Sequence, residues 1–225
     1  MEYLATALIR QIDAAAVQEL GISSLILMEN AARGACEVLE SCNPQGRIII
    51  LCGPGNNGGD GLAMARLLAA NGSECEVHLV RSEKTLTSDA DSNLRILRNC
   101  GIGVQTSDSG AVQTVIAGLT AADWVVDAML GTGTHGNLRA PYDEIAEAVN
   151  RSSARVMSVD VPSGLNADTG EPCGVAVRAD ITVTFVAKKS GFQFEHAARW
   201  LGRVDVCHIG IPQSWLVRWC KSHGE

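Results

Sequence analysis

A chain of 225 residues of which 46% are hydrophobic can bury a sizeable core, which excludes a disordered or fibrous protein and predicts a single domain over residues 1–225. Its 18 basic and 25 acidic residues give a formal charge of -7, and no Lys/Arg run could follow a phosphate backbone, so nucleic acid is excluded as a partner. A small anion stays compatible, because backbone amides at helix N-termini bind phosphate without net positive charge.

Alanines and spaced aliphatics from Leu4 to Glu19 predict a helix that Gly21 ends. Leu25, Met28, Ala32, Ala35 and Leu39 recur at helical spacing in a second helix opening at Ser23 or Ser24. Arg47 to Cys52 (RIIILC) reads as a strand, followed by the glycine-rich loop Gly53 to Gly61 (GPGNNGGDG) and a helix, LAMARLLAANG. The pattern repeats as a strand near Cys75 to Val80, a helix near Asp89 to Asn99, and a weaker strand and helix up to Leu119. Trp124 to Asp127 is then a strand, GTGTHGNLRAP a loop, Tyr142 to Asn150 a helix with Pro141 in its first turn, and Arg155 to Asp160 a strand. Ile181 to Ala187 and Val204 to Ile209 add further strands. Apolar strands separated by helices define an α/β fold with a mostly parallel central sheet covered on both faces, and ligands are expected beyond the carboxyl ends of the strands.

The eight cysteines include no CxxC pair and several lie in apolar runs, as Cys52 does, so they read as reduced thiols in a cytoplasmic protein. The N-terminus carries Glu2 and Asp13 and lacks the basic start and apolar core of a signal peptide. No apolar stretch is long enough to span a bilayer, so no membrane association is expected.

Three loops carry the chemistry. The first holds a formal GxGxxG at Gly53, Gly55 and Gly58, which alone is weak support for a dehydrogenase. That pattern needs an acid about 20 residues further on, at the end of the second strand. Here Glu74 and Glu76 lie at that strand's start and Glu83 lies beyond it. Asn56 and Asn57 supply amide donors and carbonyl acceptors, while Asp60 reads either as a ligand contact or as an ordinary helix N-cap. The second loop runs from Asp127 to Asn137, where Gly131, Gly133 and Gly136 leave amides free for a phosphate nest. His135 is a candidate base in titration range, set against a solvent-facing loop histidine. The third runs from Asp160 to Gly170, with Pro162 and Gly164 in a tight turn that presents the Ser163 hydroxyl; Asp168 and Thr169 read as turn chemistry. The Asn57 carbonyl, Asp127 carboxylate and Ser163 hydroxyl form a hard, weakly charged oxygen set, unlike a zinc or calcium site and suited to a monovalent cation.

LMENAARG (27–34), GPGNNGGDG (53–61), DAMLGTG (127–133), DVPSGLNADTG (160–170) and ADITVTFVAKKSG (179–191) resemble, in order, the hallmark segments of the NAD(P)H-hydrate epimerase family. The resemblance implies a Rossmann-like three-layer α/β/α sandwich that dimerises and epimerises NADHX and NADPHX, the hydrated forms of the reduced cofactors. It further implies dinucleotide contacts from Asn56, Asn57, Gly58, Gly59 and Asp60, from Gly131, Thr132, Gly133, Thr134, His135, Gly136 and Asn137, and from Asp160. Potassium is implied at Asn57, Asp127 and Ser163, Asp160 is the expected acid/base, and Lys189 is a second candidate. Many relatives place a proline on each side of that lysine; Lys188 and Ser190 stand here and predict a less rigid backbone. The chain ends at Glu225, so an ADP- or ATP-dependent dehydratase partner is expected to be a separate protein. A dinucleotide-binding scaffold of the same fold and an oxidoreductase are the rival readings.

Overall fold

A computed structural model describes residues 2–80, 82, 84–134 and 136–223. In chain order it forms β1 (Tyr3–Leu4), α1 (Thr6–Leu20), α2 (Ser24–Ser41), β2 (Ile48–Cys52), α3 (Asn56–Ala70), β3 (Glu76–Val80), α4 (Ser88–Asn99), β4 (Val104–Ser107), α5 (Ser109–Ala117) and β5 (Trp124–Ala128). There follow α6 (Tyr142–Arg151), β6 (Arg155–Val159), β7 (Ile181–Phe185), β8 (Lys188–Lys189), two 3₁₀ turns, α7 (Ala198–Leu201), β9 (Arg203–Cys207) and α8 (Gln213–His223). Seven strands form one sheet in the order β4-β3-β2-β5-β6-β7-β9, and every pairing is parallel.

The strands are apolar without alternation because both faces are covered. Ile48, Ile50 and Cys52 pack with residues of α1, α2, α3, α4 and α8, whereas Ile49 and Leu51 pack with α5 and α6. This two-residue split along one strand makes the three layers, α/β/α, as expected. From β2 the chain winds outward through β3 and β4, then returns to place β5 on the other side of β2. That reversal opens a crevice between the carboxyl ends of β2 and β5, the position where doubly wound sheets bind ligands.

Three local readings change. Helix α3 starts at Asn56 and not after Gly61, with Gly55 as its N-cap. Glycine is a poor helix former, but this stretch has no room for side chains. A Cβ on Gly58 would collide with the Gly53 carbonyl, one on Gly59 would lie 2.8 Å from the Met28 sulfur, and one on Gly61 would lie 2.7 Å from the Ala128 side chain. Asp60 therefore sits inside the helix and does not cap it. Helix α6 begins at Tyr142 with Pro141 just ahead of it.

The second change is Asp168. The turn chemistry belongs to Asn166, whose Oδ1 accepts from the amides of Asp168 and Thr169 at 3.0 Å each, and, as expected, to Thr169, whose hydroxyl accepts from the Glu171 amide at 3.3 Å. The Asp168 carboxylate instead accepts from the Thr6 amide at 2.8 Å and the Thr6 hydroxyl at 2.6 Å, capping α1 from across the molecule. Ala5, at the N-cap position, offers no side-chain acceptor.

The third is the backbone around Lys189. Strand β8 pairs in parallel with β1, Tyr3 opposite Lys188 and Leu4 opposite Lys189, and Lys188 Nζ lies 3.1 Å from Glu2 Oε1. Residues 188 and 189 are thus held in a strand pair without flanking prolines. Helix α8 and the β1–β8 pair were not legible in the sequence pattern.

Because α1 depends on a distant cap, Asp168→Ala should lower stability by about 1–2 kcal/mol, the usual cost of a lost N-cap. The expected observation is a lower urea midpoint at unchanged m-value; an unchanged midpoint would show that α1 is held by packing alone.

Candidate active site

The loops after β2, β5 and β6 converge, with α1 and β8, on one cleft of about 1490 Å³, larger than the roughly 300–1,000 Å³ of ordinary small-ligand pockets. Asn56, Asn57 and Asp60 line it from α3, and Asp160 and Lys189 line it from the segments after β6 and β7. Gly131, Thr132, Gly133, Thr134, Gly136 and Asn137 form the wall after β5. His135 lies outside the described residues. Gly58 and Gly59 are not in the lining; they serve the close packing of α3 described above.

Asp127 lies at the carboxyl end of β5 and is wholly buried. Its Oδ2 accepts from the Ser163 amide at 2.8 Å and the Ser158 hydroxyl at 2.9 Å, while Oδ1 accepts from the Ser163 hydroxyl at 2.6 Å. The Ser163 hydroxyl accepts in turn from the Leu130 amide at 2.9 Å. Burial pushes the Asp127 carboxyl upward, and these donors oppose the shift. Ser163 is thus turned inward onto Asp127 and not presented to solvent. Asn57 is buried, and both its Oδ1 and its Nδ2 lack a protein partner. An orphaned amide oxygen is costly unless a ligand or ion completes it. Together with the Asp127 carboxylate, which forms no ion pair among the described residues, this fits a cation held by oxygens. Among the described residues no group of three or more His, Cys, Asp or Glu side chains is placed to hold a metal, so the donors of a transition-metal site are lacking.

Asp160 follows β6 in the left-handed backbone region, φ 65°, and Val186 follows β7 at φ 68°. Aspartate tolerates this conformation better than most residues, but for β-branched valine it is a strained outlier of order 1–3 kcal/mol. The two turns aim at each other. Lys189 Nζ lies 2.6 Å from Asp160 Oδ1 and donates to the Phe185 carbonyl at 3.1 Å, and the lysine is 1% exposed. Thr184 Oγ1 donates to the same Asp160 oxygen at 3.4 Å.

Two further carboxyls complete the site. Burial pushes Asp60 well above the ordinary carboxylate range, with the charges of Asp160 and Asp13 adding and that of Lys189 opposing. Asp13, on α1, is pushed up to about 6 by burial and then by Asp160, again against Lys189. Asp13 was missed in the sequence because it lies mid-helix among alanines; its only signal was a lone acid in an apolar repeat.

Anion-binding capacity lies at the start of α3, whose first turn has no acidic residue and whose N-cap Gly55 makes no side-chain bond to the free amides. Helix α6 is less suited, since Asp143 and Glu144 occupy its first turn. The dehydrogenase pattern gains no support: β3 ends in Val80 where that pattern needs an acid.

Fold and site define a doubly wound, all-parallel α/β sandwich with a cleft at its topological switch point that carries several carboxylates among apolar walls. Residues 24–191 match the family model described as YjeF-related protein N-terminus, and the chain belongs to that family. It is 44% identical to an NAD(P)H-hydrate epimerase of Rhodopirellula baltica over 92% of this chain and 84% of the relative. It is 39% identical to one of Pirellula staleyi over 92% of each. A bifunctional NAD(P)H-hydrate repair enzyme Nnr of Thermofilum pendens is also 39% identical, with this chain spanning 40% of its length. The crystal structure of yeast YNL200c shares the fold at a TM-score of 0.80 and 22% identity, covering 97% of this chain and 93% of the other.

Gly131 separates the protein's needs from the ligand's. A Cβ there would meet Asn57 Cβ at 3.4 Å and Asp160 Oδ2 at 3.5 Å, ordinary contacts, whereas one on Gly53 would collide with the Met129 carbonyl. Gly131→Ala should therefore melt like the wild type yet bind a dinucleotide such as NADPH about tenfold or more weaker by calorimetry. Gly53→Ala should lose about 1–3 kcal/mol of stability. Full affinity in Gly131→Ala would place the ligand elsewhere.

Proposed function

We propose that this chain is an isomerase that interconverts the R and S forms of hydrated NADH and NADPH at nicotinamide carbon 6, a metabolite-repair reaction. The observation that carries the reading is the placement of Asp160, ion-paired to buried Lys189, in a dinucleotide-sized cleft at the switch point of the sheet. Kinship to curated epimerases along nearly the whole chain supports it.

In this reading the diphosphate lies at the N-terminus of α3 and along Gly131 to Asn137, with Asn56, Asn57 and Asp60 at the adjacent wall. Carbon 6 of the hydrated ring bears a hydroxyl and adjoins the ring nitrogen, so it is a carbinolamine. Proton transfer to the hydroxyl lets the C–O bond break as water leaves, while the nitrogen lone pair forms a planar iminium. Water then adds to the opposite face and gives up a proton. Asp160 serves as acid/base and its charge favours the cation; Lys189 and Thr184 hold its carboxylate in place. No hydride moves and no ATP is consumed.

Asn57, Asp127 and Ser163 would hold a potassium ion, which supplies positive charge beside the buried Asp127 carboxylate and the bound anion. The exposed apolar residues Leu25 and Ile26 at the start of α2 support a homodimer. Eight free thiols support a cytoplasmic setting, and among the described residues no helix is long and apolar enough to cross a membrane. The bifunctional repair enzymes, of one of which this chain spans 40%, support a functional partnership with an ADP- or ATP-dependent dehydratase activity, and we take residues 1–225 to be one epimerase domain.

Asp160→Asn should fold yet lose about 10²- to 10⁴-fold in epimer exchange, followed by NMR or chiral chromatography from pure R-NADHX. Exchange at the wild-type rate would reduce Asp160 to a positioning role, and a wild-type protein that fails to accelerate exchange would overturn the function. For the cation, potassium chloride should raise Tm relative to equal choline chloride, by about 2.7 kcal/mol of stability at a hundredfold excess over Kd. Asn57→Ala should abolish the difference; a wild-type Tm indifferent to potassium would remove the ion from the site.

A further inference from the structure

Epimerisation detaches a hydroxyl from one face of carbon 6 and delivers water to the other. A single carboxylate reaches both faces only if the ring turns over. A second acid/base group on a different element removes that requirement. This inference rests on the epimerase reading above.

Helix α1 brings such a group. Its start is capped by Asp168, and Arg10 Nη2 donates to the Thr132 carbonyl at 3.0 Å, tying the helix to the wall of the cleft. Arg10, Asp13, Ala14 and Val17, at helical spacing, line the cleft along this helix. Asp13 Oδ1 is buried there with no hydrogen-bond partner. Asp160 faces the same space with one oxygen engaged by Lys189 and Thr184. A buried carboxyl oxygen left unmatched by the protein, in a cleft that already holds Asp160, is what a reacting hydroxyl would complete.

We propose that Asp13 is a second catalytic acid/base, serving the face of carbon 6 opposite to the one served by Asp160. In one direction the Asp13 carboxyl gives its proton to the departing hydroxyl, the C6–O bond breaks with its electrons on the leaving water, and the nitrogen lone pair closes the iminium. Water adds to the other face, its proton passes to the Asp160 carboxylate, and the C=N electrons return to nitrogen. The reverse direction exchanges the two roles, and solvent exchange returns the proton between turnovers. Atoms and charge balance without a redox partner.

The competent enzyme thus carries one proton on the pair. Burial and then Asp160 after β6 raise Asp13, and Lys189 on β8 opposes them; Asp60 on α3 and Arg10 on its own helix are the other charged groups on the same stretch of the cleft. Since Asp13 ionises near 6, kcat/KM should fall as pH rises through about 6. It should do so equally for both epimers, because their equilibrium is independent of pH.

The test compares wild type, Asp13→Asn and Asp13→Glu with NADHX of each epimer. Asp13→Asn should lose about 10²- to 10⁴-fold in kcat with KM little changed, and its profile should lack the ionisation near pH 6. Asp13→Glu should recover part of the rate and keep an ionisation. Stability gives a readout free of activity. Asp13's value rises from 3.8 to about 6 on folding, so the folded state holds the extra proton and stability falls as pH rises through that window. Asp13→Asn should therefore melt above wild type at pH 8, with the gap closing towards pH 4. An asparagine variant that is folded and exchanges epimers at the wild-type rate, or that keeps the ionisation near pH 6, overturns the role of Asp13 and leaves the epimerase reading intact. A wild-type protein that does not accelerate exchange overturns both.

Discussion

The carboxylate of Asp127 is the interaction on which the geometry of the site depends. It is wholly buried at the end of a central strand, where an unpaired charge is strongly disfavoured, and it is tolerated because donors converge on it. Those donors come from the neighbouring strand, through Ser158, and from the turn two residues past Val161, through both the amide and the hydroxyl of Ser163. Ser163 then accepts from Leu130, which fixes the loop after β5 against the loop after β6. One charge thereby sets the relative position of two walls of the cleft. A neutral isostere in its place would leave several buried donors facing a poor acceptor, so its cost would spread beyond any single bond.

Glycine performs the complementary task on the third wall. The stretch from Asn56 to Gly61 becomes helix against its intrinsic preference because close approach to Gly53, Met28 and Ala128 leaves no volume for side chains. That approach brings the free amides of α3 to the crevice. Met28 and Asn30 belong to the same construction: Met28 packs under Gly59, and Asn30 Nδ2 donates to the Ile209 carbonyl at 3.0 Å, joining α2 to the segment after β9. The LMENAARG segment is thus a structural joint, and Met28 also reaches the cleft lining.

The architecture was legible because continuous apolar strands such as Ile48 to Cys52 and Trp124 to Ala128 admit only a sheet covered on both faces. Polar residues at their carboxyl ends then point to the crevice. The glycine-rich start of α3 was misread because local propensity favours a loop where tertiary packing selects a helix. The roles of Asp13 and Asp168 were hidden for a different reason. Asp168 acts on Thr6, 162 residues away, and Asp13 reaches the cleft on a helix that this cap and the Arg10 contact help to hold over it. Asp13's placement also rests on the packing of Ile9, Ile12, Ala15 and Ala16 of α1 into the core. None of this leaves a local pattern, and no periodicity in the sequence distinguishes a solvated helix aspartate from one aimed into a site. The inward turn of Ser163 was equally invisible, since a Pro-Ser-Gly turn is compatible with either orientation of the hydroxyl.

The strained residues and the shifted carboxyls describe one device. Two non-glycine residues in the left-handed region, Asp160 and Val186, flank the Lys189 ion pair, and strain of that kind persists only where the surroundings over-determine it. Around the pair, burial separates the proton affinities of otherwise similar carboxyls. Burial raises Asp60 well above the ordinary carboxylate range and brings Asp13 to about 6, while Asp160 is ion-paired with Lys189. Environments that push like groups apart in this way divide the roles of acid, base and counter-charge among them. For a reaction that passes through a cation and needs only proton movement, such a division is sufficient. The same burial destabilises the folded chain as pH rises, so a cluster of this composition is better explained by its chemistry than by stability.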